Sequence, residues 1–355
     1  MTSNLFDPVR LGNLTLSNRI VMAPMTRSRA DVHDCPTDLH VDYYRQRATA
    51  GLIITEGIQP SAEGKGYART PGLHDERQAA AWLRVTDAVH AEGGLIVAQL
   101  MHVGRIAAAA NRGDGLDVVA PSAIKARAKL WTIDGMAKTE QPRALDTNEI
   151  AGVIDDYAAA ATRAISAGFD GVELHCTSGY LPAQFMATGT NDRTDRYGGS
   201  PANRVRFAVE TLEALANAIG GGRVGFRICP GNPFNDLHDD DPFETHATLL
   251  DAVGELDLAY CHLIEMVTPQ AIDHRALLAA HWQGPRILNE SIDQTKAERL
   301  IADGAADAIA FGRPFIANPD LVERFRHGYP LSEMEGDQIY AGGAKGYTDY
   351  PPYQP

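Results

Sequence analysis

The stretch ELHCTSGYL, residues 173–181, crowds a carboxyl, an imidazole, a thiol, a hydroxyl and a phenol into one short segment. Three chemistries fit those side chains. His175 beside Cys176 suggests a thiol nucleophile with its base, and His175 with Ser178 an activated hydroxyl. Glu173 with His175 suggests a metal-dependent hydrolase. Other polar residues close apolar runs elsewhere: Thr26, Glu56, Gln99, Arg227, Glu265, Glu290 and Arg313. Which of these can meet depends on the elements that carry them.

One unit recurs along the chain: a short apolar run, a polar turn and an amphipathic helix. The runs are RIVMAPM (19–25), GLIITEG (51–57), GLIVAQL (94–100), GFDGVELH (168–175), RVGFRIC (223–229), LAYCHLIE (258–265), PRILNE (285–290) and DAIAFGR (307–313). Each has the length of a buried strand and is flanked by turn residues. Asp146 and Asp241 each precede a Glu by three residues, a pattern that opens helices. Ser200-Pro201, Thr268-Pro269 and Asn318-Pro319 place a capping residue before a proline at the first helical position. Gly168 and Gly304 stand where helix C-caps belong.

Eight strands alternating with helices predict an α/β fold: a single (β/α)8 TIM barrel over residues 1–355. Two doubly wound sheets fit less well, because no domain linker and no G-x-G-x-x-G opening a helix occurs. The long insertion after the third strand, about 101–146, predicts a lid over the barrel mouth. VRLGNLTLSN (9–18) predicts a hairpin closing the barrel bottom.

A strand in such a barrel is buried on both faces, so a polar residue there needs a reason. The polar residues collect at the C-terminal strand ends, where these barrels carry their active sites. Alternation then sorts them. Val172 and Leu174 share one face and suit the helix layer, which turns Glu173 and His175 into the mouth. Cys176 points the other way, so the His175–Cys176 nucleophile is poorly supported. The same rule sends Gln99 and Arg227 inward. An inward Arg227 calls for an anionic or carbonyl-rich ligand, or else an ion pair with Glu173. FGRPF (311–315) at the end of the eighth strand stands at the barrel's usual phosphate position, with Gly312 admitting a ligand to the backbone and Arg313 adding charge.

Composition narrows the partners. A net charge of −14 argues against nucleic acid and anionic membranes, which need basic surface. No run reaches the ~18 apolar residues of a membrane span. MTSNLFDPVRLGN lacks the pattern of a secretory leader. The four cysteines, at 35, 176, 229 and 261, form no C-x-x-C pair and no zinc-like spacing. A reduced, cytoplasmic enzyme is expected, as a monomer or homodimer.

Along essentially its whole length the chain resembles the Old Yellow Enzyme family of FMN-dependent ene-reductases. The matching stretches include NRIVMAPMTRSRA (18–30), KGYARTPGLH (65–74), VAQLMHVGR (97–105), AGFDGVELH (167–175), NDRTDRYGGSPANRVRF (191–207), ADAIAFGRPFIANPDL (306–321) and GGAKGYTDYP (342–351). The resemblance implies FMN at the barrel mouth. Pro24, Met25 and Thr26 would lie along the flavin, Gly57, Gln99 and Arg227 would meet its ring, and Ser291, Gly312 and Arg313 its phosphate. NAD(P)H would reduce the flavin and leave, and an activated alkene would take its place. His175 and Ser178 would hold the alkene's carbonyl or nitro oxygen while Tyr180 protonates the α-carbon. Tyr67, Met101 and Tyr347 would line the substrate pocket.

Three departures from the family pattern stand out. Ser178 replaces the second oxygen-binding Asn or His of strand four. Met101 stands where the family commonly has Trp. Asn289-Glu290-Ser291 replaces a glycine-rich turn beside the phosphate. They imply weaker carbonyl activation, a roomier pocket and a less certain grip on FMN. They also keep open specialisation for nitrate esters or nitroaromatics, a dedicated biosynthetic double-bond reductase, or a flavin-assisted isomerase. The nicotinamide needs no Rossmann fingerprint if it binds transiently in the substrate pocket.

Overall fold

All eight apolar runs form strands. They are β1 (Ile20–Met22), β2 (Leu52–Ile58), β3 (Ile96–Leu100), β4 (Gly171–His175), β5 (Val224–Ile228), β6 (Tyr260–Ile264), β7 (Arg286–Asn289) and β8 (Ala308–Phe311). Each pairs in parallel with its sequence neighbours, and β8 pairs with β1, closing the barrel. The structure, a computed structural model, describes residues 4–113, 115–340 and 342–354, apart from the side chain of residue 337. The first three residues, part of the stretch read for a leader, lie outside it.

Alternation holds through most of the barrel. Val172, Leu174, Phe226 and Ile228 pack into the outer core against the helices, with Trp82, Tyr157 and Phe207. Val21, Leu52, Ile54, Val97 and Ile287 form a separate inner core. The predicted hairpin pairs Val9–Leu11 with Leu14–Leu16 and packs Leu11, Leu14 and Leu16 against that inner core. It therefore plugs the barrel bottom.

Most helix starts fall where the caps predicted. Asp146 and Asp241 cap helices Thr147–Ser166 and Pro242–Val253, and Ser200 caps Pro201–Arg204. Gly168 and Gly304 follow helix ends with φ of 81° and 68°. Two starts come later than expected. Thr268-Pro269 is followed by a turn in which Ala271 N donates to Thr268 O, and the helix begins at His274, capped by Asp273. The Asn318 carboxamide accepts from Ser332 N instead of capping, and that helix begins at Leu321.

A β-bulge in β2 breaks the alternation. Ile54 pairs with Val97, but Gly57 pairs with Gln99, so one extra residue enters β2. The Thr55 hydroxyl accepts the Gln99 N–H at 3.1 Å and so satisfies the interrupted ladder. The insertion reverses the parity beyond it. Gly57 faces the mouth, while Glu56 turns into the helix layer and accepts from Arg27 N at 3.3 Å. Glu265 is likewise drawn off, into a 2.8 Å ion pair with Arg275.

The insertion over 101–146 folds into two small sheets, Val119–Ala120 with Arg143–Ala144 and Lys129–Thr132 with Gly135–Lys138. Among the described residues no helix is long and apolar enough to cross a membrane.

The plug depends on one glycine. Gly12 has φ 55°, and a Cβ there would lie 2.6 Å from Gly222 O and 2.7 Å from Ala259 Cα. Gly12→Ala adds left-handed strain and a backbone clash, and is expected to cost about 2–3 kcal/mol of stability. A urea titration checks this: the midpoint falls while the m-value holds.

Candidate active site

A cavity of about 1040 Å³ opens at the C-terminal ends of the strands. It slightly exceeds the ~300–1,000 Å³ of an ordinary ligand pocket and has room for a cofactor and a second molecule. Its walls include Pro24, Met25 and Thr26 after β1, Gly57 of β2, Gln99 of β3 and Met101 just beyond it, and Arg227 of β5. His175, Ser178 and Tyr180 line it from β4 and the turn beyond, and Tyr67 from the loop after β2. Glu290, Ser291, Gly312 and Arg313 line the end beside β7 and β8. The structure thus gathers every sequence-predicted site residue except one.

The exception is Tyr347, which was expected to line the substrate pocket. It is fully buried, stacked on Tyr43 at 4.1 Å between centroids and facing the Arg27 guanidinium. Tyr340 lines the cavity instead, with most of its ring exposed. The C-terminal segment is fixed by Arg27, which donates to the carbonyls of Ile339 and Gly346. That tether buries Tyr347 and leaves Tyr340 at the mouth.

Glu173 organises the floor below the cavity. Its carboxyl accepts from Gln99 Nε2 at 2.8 Å and pairs with His262 Nδ1 at 2.9 Å, all three side chains being buried. The Gln99 amide therefore turns its donor end down, and His262 carries its proton on Nδ1. The ion pair between Arg227 and Glu173 considered above does not form. Arg227 Nη2 donates instead to Asn289 Oδ1 at 2.7 Å, and Asn289 Nδ2 donates to Ala310 O at 2.7 Å. Burial lowers the Arg227 pKa, and Glu173 opposes that at longer range.

Burial also sets the protonation of the reactive wall. It drives the His175 imidazole well below its ordinary value, with Arg227 and then His262 adding to the effect, so the ring stays neutral. It drives the Tyr180 phenol well above its ordinary value, with help from Tyr67. The two phenol oxygens lie 3.0 Å apart, and the Tyr180 ring meets His175 edge-on at 5.0 Å. Cys176 packs into the outer core with its pKa raised by burial, which removes it as a nucleophile. Among the described residues no group of three or more His, Cys, Asp or Glu is arranged to hold a metal.

The cavity suits a flavin. Arg227 Nε and His175 Nδ1 are buried without a protein partner, a costly state that a polar ligand relieves. A side chain on Gly57 would strike Met101 Cε at 2.5 Å, so the backbone there stays bare. At the β7 end Glu290 and Ser291 have φ of 91° and 52°, a backbone that favours glycine. The Glu290 side chain is exposed and within 3.3 Å of the Ser291 hydroxyl.

Several lining residues were not singled out from the sequence. Phe234 and Asn235 enter from the loop after β5, and Lys129, Trp131 and Met136 from the lid. His262 was within reach of the alternation rule, since it follows Tyr260 by two residues in β6 and shares its face. The loop and lid residues carry no period that would have marked them.

The family described as NADH:flavin oxidoreductase / NADH oxidase matches residues 4–332. A probable flavin mononucleotide-dependent alkene reductase of Leishmania infantum is 39% identical over 98% of this chain and 97% of its own. The 12-oxophytodienoate reductase 1 of Oryza sativa subsp. japonica is 39% identical over 98% of this chain and 92% of its own. Among solved structures, morphinone reductase in complex with tetrahydroNAD superposes with a TM-score of 0.94 at 45% identity, covering 99% of this chain and 98% of that one. The old yellow enzyme homologue from Zymomonas mobilis gives 0.95 at 39% identity, covering 98% of this chain and 99% of that one. With its closed barrel, its polar mouth and this agreement over nearly all its length, the chain belongs to the NADH:flavin oxidoreductase / NADH oxidase family.

Proposed function

We propose that this protein uses FMN and NAD(P)H to reduce the C=C bond of alkenes activated by a carbonyl, nitro or imide group. The observation that carries the reading is the pairing, in one cavity, of a neutral His175 with a protonated Tyr180. Bound FMN supplies the hydride, drawn from NAD(P)H. The residues of the chain supply the rest. Thr26, Gly57, Gln99 and Arg227 hold the flavin ring, with Pro24 and Met25 along it. Ser291, Gly312 and Arg313 hold the phosphate. Arg227 places a fixed positive charge beside the ring, where negative charge grows on reduction.

His175 and Ser178 hold the substrate oxygen, and their hydrogen bonds strengthen as negative charge builds there. Tyr180, kept as a phenol by burial, delivers the proton to the α-carbon. Tyr67 lies beside it to support the phenol. Met101 lies over Gly57 and shapes the alkene's place. The morphinone reductase complex with tetrahydroNAD supports a nicotinamide sharing this mouth. We infer that NAD(P)H and a small alkene are the protein's partners in a reduced cytoplasmic setting, where all four cysteines stay free.

Purified protein is expected to be yellow. NAD(P)H under anaerobic conditions should bleach it, and cyclohexenone or N-ethylmaleimide should restore the colour. Flavin that binds without bleaching would rule out the redox reading. Turnover on nitrate esters compared with enones decides the specialised alternative. Tyr180→Phe is expected to slow reoxidation by alkene about 10²-fold while leaving reduction by NAD(P)H nearly intact. Stopped-flow absorbance of the flavin separates the two steps.

The neutral imidazole also predicts a pH effect on stability. The folded His175 pKa lies well below 6.5, so the unfolded chain takes up a proton first as pH falls. The stability associated with this group is present above pH ~6.5 and is lost as pH drops toward its folded value, by up to about 2 kcal/mol at pH 5. His175→Asn should therefore shrink the fall in Tm between pH 7.5 and 5. His102, His246 and His262 are depressed in the same direction and keep part of the slope.

A further inference from the structure

The loop Phe234–Asp236 after β5 lies next to the turn that follows the adjacent strand β4 and places Asn235 in the cavity wall with Ser178 and Tyr180. Asn235 and Asp236 both have φ 59°, a left-handed pair that Asn and Asp tolerate better than other side chains. The pair is held from two sides. Buried Arg105 donates from Nη2 to Asp236 O at 2.6 Å. Arg127 of the lid engages the Asp236 carboxylate twice, from its backbone N at 2.9 Å and from Nε at 3.0 Å. Strain maintained in this way at a cavity wall fixes where the side chain points.

Asn235 Nδ2 donates to the backbone carbonyl of Ser178 at 2.8 Å. Ser178 is itself left-handed, with φ 59°, and a Cβ on the adjacent Gly179 would meet Asn235 Cβ at 2.8 Å. The two turns therefore interlock. Asn235 lines the same cavity as Tyr67 and Tyr180, whose hydroxyls lie 3.0 Å apart. Because the bond to residue 178 goes to its carbonyl, it survives whichever side chain stands there.

We propose that Asn235 is a positioning residue for proton delivery: its carboxamide, entering from the neighbouring loop, ties the Ser178 carbonyl and so fixes the turn that carries Tyr180 toward the alkene. This rests on Tyr180 being the proton donor. The role is a division of labour. Asn235 fixes the turn through its backbone, which leaves the short Ser178 hydroxyl free to meet the substrate oxygen directly or through one water.

The test uses the FMN-loaded protein and follows both half-reactions by stopped flow, with cyclohexenone as the alkene. Asn235→Gly keeps the left-handed backbone and deletes the amide. Asn235→Asp keeps the shape and deletes the donor. Both should slow reoxidation by cyclohexenone about tenfold more than reduction by NAD(P)H. The solvent deuterium isotope effect on reoxidation should rise, a change that a merely structural role would not produce. Equal losses in both half-reactions, or no loss in either, would overturn the proposal. Tyr180→Phe run in parallel keeps the two readings apart. If it slows reoxidation and the Asn235 variants do not, only the positioning role fails; if it does not, the proton-donor reading fails and takes this proposal with it.

Discussion

A parallel barrel offers no wet interior, so the Glu173 carboxyl has to be satisfied by its neighbours, and the mouth is built on how that is done. Gln99 Nε2 and His262 Nδ1 both turn toward it. Losing either partner would leave a buried polar group unpaired, at a cost of about 1–3 kcal/mol. The constraint reaches upward. With its donor end committed below, the Gln99 amide presents its oxygen toward the cavity. With Glu173 already engaged, Arg227 is left to Asn289, and its Nε stays open toward the same space. A donor–acceptor pattern for a ring with its own N–H and C=O groups thus follows from one carboxyl placed a layer deeper.

The sequence made the barrel readable because burial on both faces leaves a strong signature. Eight apolar runs became eight strands, and alternation correctly turned Glu173, Gln99, His175 and Arg227 inward and Cys176 outward. It does not run through β2, where the bulge inserts a residue after Ile54 and reverses the parity of Glu56 and Gly57. Nothing in GLIITEG announces that insertion; it is visible only in pairing with β3, where Thr55 replaces a lost backbone acceptor. Tyr347 was misplaced for a related reason. The segment near 340–350 has no regular period, and its path is set by carbonyls that Arg27 and Arg29 hold from far away in the chain. Phe234 and Asn235 escaped notice because their conformation depends on clamps from the lid and from Arg105.

The lid completes the site through its surface as well as its cover. Trp131 and Met136 form a cross-strand pair in the lid hairpin, and both line the cavity while remaining about half exposed. Apolar side chains left in water at a mouth gain contact when a ligand covers them. Arg127, also in the lid, is tied to Asp236, so the position of the lid and that of the Asn235 loop are linked through one carboxylate.

The adjacent His175 and Cys176, which first suggested a nucleophile, end in opposite relations to the chemistry. The alternation that turns His175 into the cavity buries Cys176 among the helices. Activated alkenes are the electrophiles that thiolates attack, so an accessible, ionised cysteine at this mouth would be alkylated by the substrate. All four cysteines are buried. Burial raises each of their pKa values, that of Cys229 to about 12, which keeps them as unreactive thiols. The same desolvation keeps Tyr180 protonated and His175 neutral. One dry wall thus withholds thiolates from the cavity while keeping a protonated phenol in it.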